Sequence, residues 1–163
     1  MWKILKDKRG LSLIEMVVTM VILTLLASLI VPSAQMASKR TKELELRRNL
    51  REIRTAIDEY KKNYDKALSD QKTVQVLNAT GYPKTLDLLV EGDDFGGLVK
   101  EKKKFLRRIP SDPFNKAQEG EAKWGMRSHA DEFDSTTWGG EDVFDVYSLS
   151  NGVAIDGTKY KDW

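Results

Sequence analysis

The sequence predicts an α+β fold in which a long N-terminal helix packs on a small antiparallel sheet. Three observations predict it. An apolar run fills Leu11–Val31, an apolar stripe recurs at helical spacing from Leu46 to Tyr64, and Lys123–Ser128 and Asp142–Ser148 alternate as strands do.

Leu11–Val31 is twenty-one residues of mostly Leu, Ile, Val, Met and Ala. As a helix it reaches about 31 Å, the thickness of a bilayer's hydrocarbon core. Ser12, Thr19, Thr24 and Ser28 are tolerable there because a helical hydroxyl can bond a carbonyl of the preceding turn. Glu15 is the single ionisable residue in the run. A lone carboxylate there costs several kcal/mol unless it is paired, neutralised or held at the interface. Two readings compete: Glu15 is solvated among headgroups or protonated, or another molecule brings it a cation.

The preceding residues bear on that choice. Lys3, Lys6, Lys8 and Arg9 against Asp7 give a leader of net charge +3, which stays cytoplasmic by the positive-inside rule. A secretory signal would place a small-residue cleavage site after the apolar region, yet nothing of the A-x-A kind lies at Val31–Gln35. Here the small residue, Gly10, comes before it.

The basic leader, Gly10, the stretch Leu11-Ser12-Leu13-Ile14, Glu15, the apolar run and Pro32 together resemble the type IV prepilin family. A lone GxxxxE would be weak; the whole constellation is specific. The resemblance implies a pilin-like fold, cleavage between Gly10 and Leu11 by a prepilin peptidase, and N-methylation of Leu11 by the same enzyme. It makes Glu15 the assembly residue, neutralising the new α-ammonium of a neighbour's Leu11. Unit charges in contact attract far more strongly in low dielectric than in water. The family usually has Phe where this chain has Leu11.

Four segments follow: a cleaved leader over 1–10, a transmembrane and filament-core helix over 11–31, an amphipathic helix over 32–65 and a globular domain over 66–163. The family carries a proline at the position of Pro32, which implies a bend in the helix and not a stop. Past it, Leu46, Leu50, Ile53, Ile57, Tyr60 and Tyr64 recur at steps of four, three, four, three and four. That is one apolar face. Fewer than three heptads is short for a free coiled coil, so the stripe is expected to face the chain's own domain. Arg47, Arg48, Arg51 and Arg54 flank it, with Glu43, Glu45, Glu52, Asp58 and Glu59 supplying opposite charge; such residues usually form solvated faces.

Of the formal net charge of +2 over 163 residues, the leader and Glu15 account for all, leaving Ser33–Trp163 neutral. A neutral domain argues against nucleic-acid binding. The chain has no cysteine, so a C-terminal loop that many pilins close with a disulfide must be held otherwise.

Helical patterning fades around Lys66–Asp70. Thr73–Leu77 alternates briefly, and Asn78-Ala79-Thr80 is a sequon better read as part of a turn cluster. Thr85 is expected to cap a short helix over Leu86–Glu91 that Gly92 ends, and Asp93–Gly97 reads as a loop. Lys100, Lys102, Lys103, Lys104, Arg107 and Arg108 form the densest basic run. With Phe105 as its one aromatic, it suits a solvated face or an acidic protein partner better than stacked bases. Ile109-Pro110-Ser111-Asp112-Pro113-Phe114 is similar to a segment that leads into the sheet of type II secretion pseudopilins.

In the first strand Trp124 and Met126 are expected on one side, Lys123 and Arg127 on the other. In the second, Phe144 and Val146 are expected opposite Asp145 and Tyr147. His129–Glu141 is the long connection, and a further short strand is expected near the C-terminus. The tail Tyr147–Thr158 resembles the calcium loop of major pseudopilins. The resemblance makes Asp156, Asn151, the carbonyl of Leu149 and, less directly, Asp162 the metal ligands, Asn151 standing where the family usually offers an aspartate. The competing reading is that Asn-Gly and Asp-Gly are simply turns.

His129 is the single histidine, and no HExxH, GxSxG or phosphate-cradling loop is present. The reading is thus a non-enzymatic subunit of a type II secretion pseudopilus, anchored in the inner membrane with its domain in the periplasm. The resemblance implies as partners further copies of itself, minor pseudopilins, the inner-membrane assembly platform and the secretin channel. A type IV pilin or DNA-uptake subunit is the alternative, and a signal-anchored periplasmic enzyme or binding domain a third.

Overall fold

The computed structural model describes residues 10, 12–70, 80–95, 100–115 and 123–163; the side chains at 29–32 also lie outside the description. Leu11, Thr73–Leu77, Asn78, Ala79, Gly96 and Gly97 fall outside it, so the expectations placed on them stand as sequence readings. The chain divides into two units, Met1–Arg40 and Thr41–Trp163.

Helix α1 runs Leu13–Asp70, 58 residues. Its first bond is from the Met16 amide to the Ser12 carbonyl, at 3.0 Å. The backbone continues as helix through position 32, so Pro32 does not stop it. In the second unit α1 presents the predicted stripe: Leu46, Leu50, Ile53, Ile57, Tyr60 and Tyr64 are all buried, and Ala56 and Ala67 extend the face.

The short elements close over that stripe and bury its apolar area, the dominant favourable term in folding. Helix α2, Leu88–Glu91, is a single turn. It begins two residues later than expected: the Leu86 carbonyl accepts from Leu89 in a tighter turn, and the Asp87 carbonyl accepts the i+4 bond from Glu91 as well as one from Val90. Asp87, not Thr85, stands at its N-cap, and no side chain caps it. Gly92 ends it as expected, at φ 85°. A Cβ there would sit 3.0 Å from the Lys103 carbonyl oxygen. Phe105 and Leu106 both donate to the Leu89 carbonyl, at 2.9 and 2.8 Å. Tyr60 meets Phe95 and Phe105 edge-on, with centroids 5.1 and 5.4 Å away.

Strand β1, Gly125–Arg127, pairs antiparallel with β2, Asp145–Tyr147, in the register Gly125 to Tyr147, Met126 to Val146 and Arg127 to Asp145. The expected hairpin is present, but its faces differ from the alternation. Arg127 is buried, Val143 fully so, and Phe144 is 44 % exposed. The connection after β1 covers the side that the alternation assigns to solvent. Arg127 lies 4.2 Å over the Tyr147 ring and donates to the Ser135 carbonyl at 2.9 Å. No third strand forms near the C-terminus among the described residues. Ala154 and Thr158 close a tight turn at 2.7 Å, leaving length only for the bridge Val153–Lys159 and a 3-10 turn over Tyr160–Asp162.

The segment 109–114 is a hub. Pro110 accepts from the Trp124 indole and Ser111 from Asn49, each at 2.9 Å. Buried Asp112 accepts from the Phe114 amide at 2.8 Å and the Ser148 hydroxyl at 2.5 Å. Phe114 stacks on Tyr160 at 4.1 Å. Two prolines fix the backbone so that one carboxylate can hold its own turn and the start of the tail together.

Candidate functional site

The described side chains of α1 from Leu13 to Ser28 are all exposed. Leu13, Ile14, Leu23 and Leu25 are 62–82 % exposed. The segment is long and apolar enough to cross a membrane, and none of it is buried. The hydroxyls behave as lipid requires: Thr19 bonds the Met16 carbonyl at 2.9 Å, Thr24 that of Met20 at 2.8 Å, and Ser28 that of Leu25 at 2.7 Å. Glu15 lies in the first turn of α1 and is exposed. There the positive end of the helix dipole favours a carboxylate. Among the described residues it makes no hydrogen bond or ion pair. Gly10 is exposed, and a Cβ there would meet nothing within 4 Å. Leu11 and the Pro32 side chain lie outside the description.

The second candidate site is the tail. Glu43 accepts from the Ile155 amide and the Tyr160 hydroxyl, both at 2.9 Å. Arg47 donates to Asp156 at 3.2 Å and lies 4.0 Å over the Trp163 ring. Arg54 binds Asp145 at 2.6 Å and the Val146 and Trp163 carbonyls at 3.0 and 2.6 Å. Trp163 donates its indole N–H to Thr158 at 2.7 Å. Sequence reasoning left Glu43, Arg47 and Arg54 as solvated charges. Their spacing of four and seven, which places them along one edge of the helix, was the signal available.

The residues expected to hold calcium lie in or beside this loop, but their chemistry does not fit the ion as they stand. One Asp156 carboxylate oxygen accepts from the Thr158 amide and hydroxyl, at 3.0 and 2.6 Å, and the other faces Arg47. Asp162 sits in the 3-10 turn, Asn151 is exposed and Leu149 is 39 % exposed. No three acidic or imidazole side chains group as a metal centre among the described residues. Calcium takes six to eight oxygens, whereas one Asp156 oxygen already faces a guanidinium. We expect a chelator to leave the melting temperature of the full chain unchanged and Arg47→Ala to lower it. A drop on chelation that added calcium reverses would restore the metal reading.

The Thr158 hydroxyl and amide, then Arg47, hold the Asp156 carboxyl below its ordinary value. Burial, then the bond to Glu43, pushes the Tyr160 phenol from 10 up to about 12. A raised phenol contributes stability that is complete below the unfolded pKa and lost as pH rises through the folded one. The chain should therefore lose stability between pH 10 and about 12. Tyr160→Phe should make that slope shallower, read as melting temperature against pH; an unchanged slope contradicts it.

His129 is exposed and lies against the rings of Tyr82 and Phe144, at 5.8 and 5.4 Å. Asp131 accepts from the Ser128 and Gly139 amides at 2.7 and 3.0 Å. These groups organise the loop.

Residues 5–31 match the prokaryotic N-terminal methylation motif. No curated protein and no solved structure matches the chain. That motif is of the type IV prepilin kind; together with the uncovered apolar helix it fits a membrane-anchored protein and supports a pilin-type structural subunit.

Proposed function

We propose, on the premise of that motif, that the chain is a subunit of a type II secretion pseudopilus. It is cleaved after Gly10 and methylated at Leu11 by a prepilin peptidase. It is held in the inner membrane with its domain in the periplasm, and polymerises through α1 into a filament that drives protein export. One observation carries the reading. The methylation motif coincides with a span-length helix whose apolar side chains are uncovered and which holds one carboxylate, Glu15. Apolar surface of that extent needs lipid or other copies of itself.

The segment 109–114 supports secretion over a surface pilus, through its similarity to the pseudopilin segment. The partners of this reading are minor pseudopilins, an assembly platform and a secretin. Deleting the gene should stop export of folded periplasmic proteins while DNA uptake and surface pili persist. Intact export with lost pili or DNA uptake would instead favour a type IV pilin or uptake subunit.

A further inference from the structure

Phe133 is 90 % exposed, more than any other large apolar side chain among the described residues. Glu132 and Asp134 flank it and are exposed too. The loop beneath is fastened. Asp131 accepts from the Ser128 and Gly139 amides, Arg127 donates to the Ser135 carbonyl at 2.9 Å, and Tyr147 to the Thr136 carbonyl at 3.2 Å. An aromatic held out between two acids on a pre-organised loop loses little conformational freedom on docking.

The same domain carries the complement. A groove of about 580 Å³ lies between α1 and residues 105–108. Its apolar part includes Ala56 and Phe105, and Arg48, Arg51, Arg107 and Arg108 line it as well. None of the four arginines makes an ion pair among the described residues. Glu52 and Glu59 also line the groove, so its formal charge is net positive. An aromatic in the apolar part, with flanking carboxylates on the arginines, is the kind of anchor that dominates interfaces. Anionic lipid suits the groove but not the loop, whose acids it repels.

We propose that the Glu132-Phe133-Asp134 loop of one copy docks into this arginine-lined groove of the next copy. Loop and groove are different patches, so the contact is heterologous and propagates head to tail, as an open filament needs. The inference rests on the filament reading and adds a second contact, outside the membrane helices.

The test uses the full chain in membranes. It has no cysteine, so a Glu132→Cys/Thr55→Cys chain treated with a short bismaleimide reports this contact, the Glu132→Cys and Thr55→Cys chains alone controlling for like-with-like links. A ladder of dimer, trimer and higher species is expected. Phe133→Ala in that background should reduce the ladder about tenfold or more. Asp134→Arg should reduce it, and adding Arg107→Glu/Arg108→Glu should restore it. No ladder, or one that stops at dimer, overturns the docking even where electron microscopy shows filaments. Absence of filaments with the ladder intact counts against the secretion reading and not against the docking. Loss of membrane association by Arg107→Glu/Arg108→Glu with an unchanged ladder in the Asp134→Arg chain assigns the groove to anionic lipid and overturns the proposal.

Discussion

Replacing Glu15 with valine is expected to abolish the proposed filament assembly while the chain still inserts and its domain still folds. The substitution removes the one charge from an uncovered apolar helix, so insertion becomes easier. The core of the second unit begins at Leu46, far along α1, and does not include Glu15. What would disappear is the proposed partner for the α-ammonium that cleavage after Gly10 would create at a neighbour's Leu11. Two unit charges at contact interact by about 4 kcal/mol at an effective dielectric constant of 20, and desolvation takes part of it. A remainder of about 1.4 kcal/mol already weakens each association step tenfold. A filament repeats that step at every subunit. Filament number and length by electron microscopy read the effect; normal filaments from the Glu15→Val chain contradict the pairing.

Ile53→Ala is expected to lower the stability of the domain by about 2–5 kcal/mol. Ile53 has no exposed surface and sits midway along the buried stripe. Its removal leaves a cavity that α1, fixed on both sides by Leu50 and Ile57, cannot collapse to fill. Domains hold roughly 5–15 kcal/mol in total, so the melting temperature should fall on the order of 10 °C. Lys62, on the exposed side of the same helix, supplies the control, since Lys62→Ala should stay within about 0.5 kcal/mol. Equal melting of the two variants, measured by circular dichroism on the full chain in detergent, contradicts the core as described.

What the sequence made legible was what periodicity carries. The apolar run, its back-bonding hydroxyls and the Leu46–Tyr64 face are one-dimensional signals, because a helix maps spacing directly onto a surface. The strands were found, but their faces were not. With only three residues each, the loop packed over them decides burial, and so Val143 is interior while Phe144 is not. The tail was located, but its contact with Arg47 was not expected. Asp156 pairs with a residue 109 positions away, and such a partner leaves no local trace in a chain of many charges. Arg47 looked like any arginine on a helix edge until the tail returned to it.

The account depends on one covalent event, and intact mass spectrometry of the protein recovered from membranes tests it most directly. The predicted mass is that of the chain from Leu11 to Trp163 with one added methyl. A mass that retains Met1 and the rest of the leader would contradict processing, and with it the amine that Glu15 is proposed to meet.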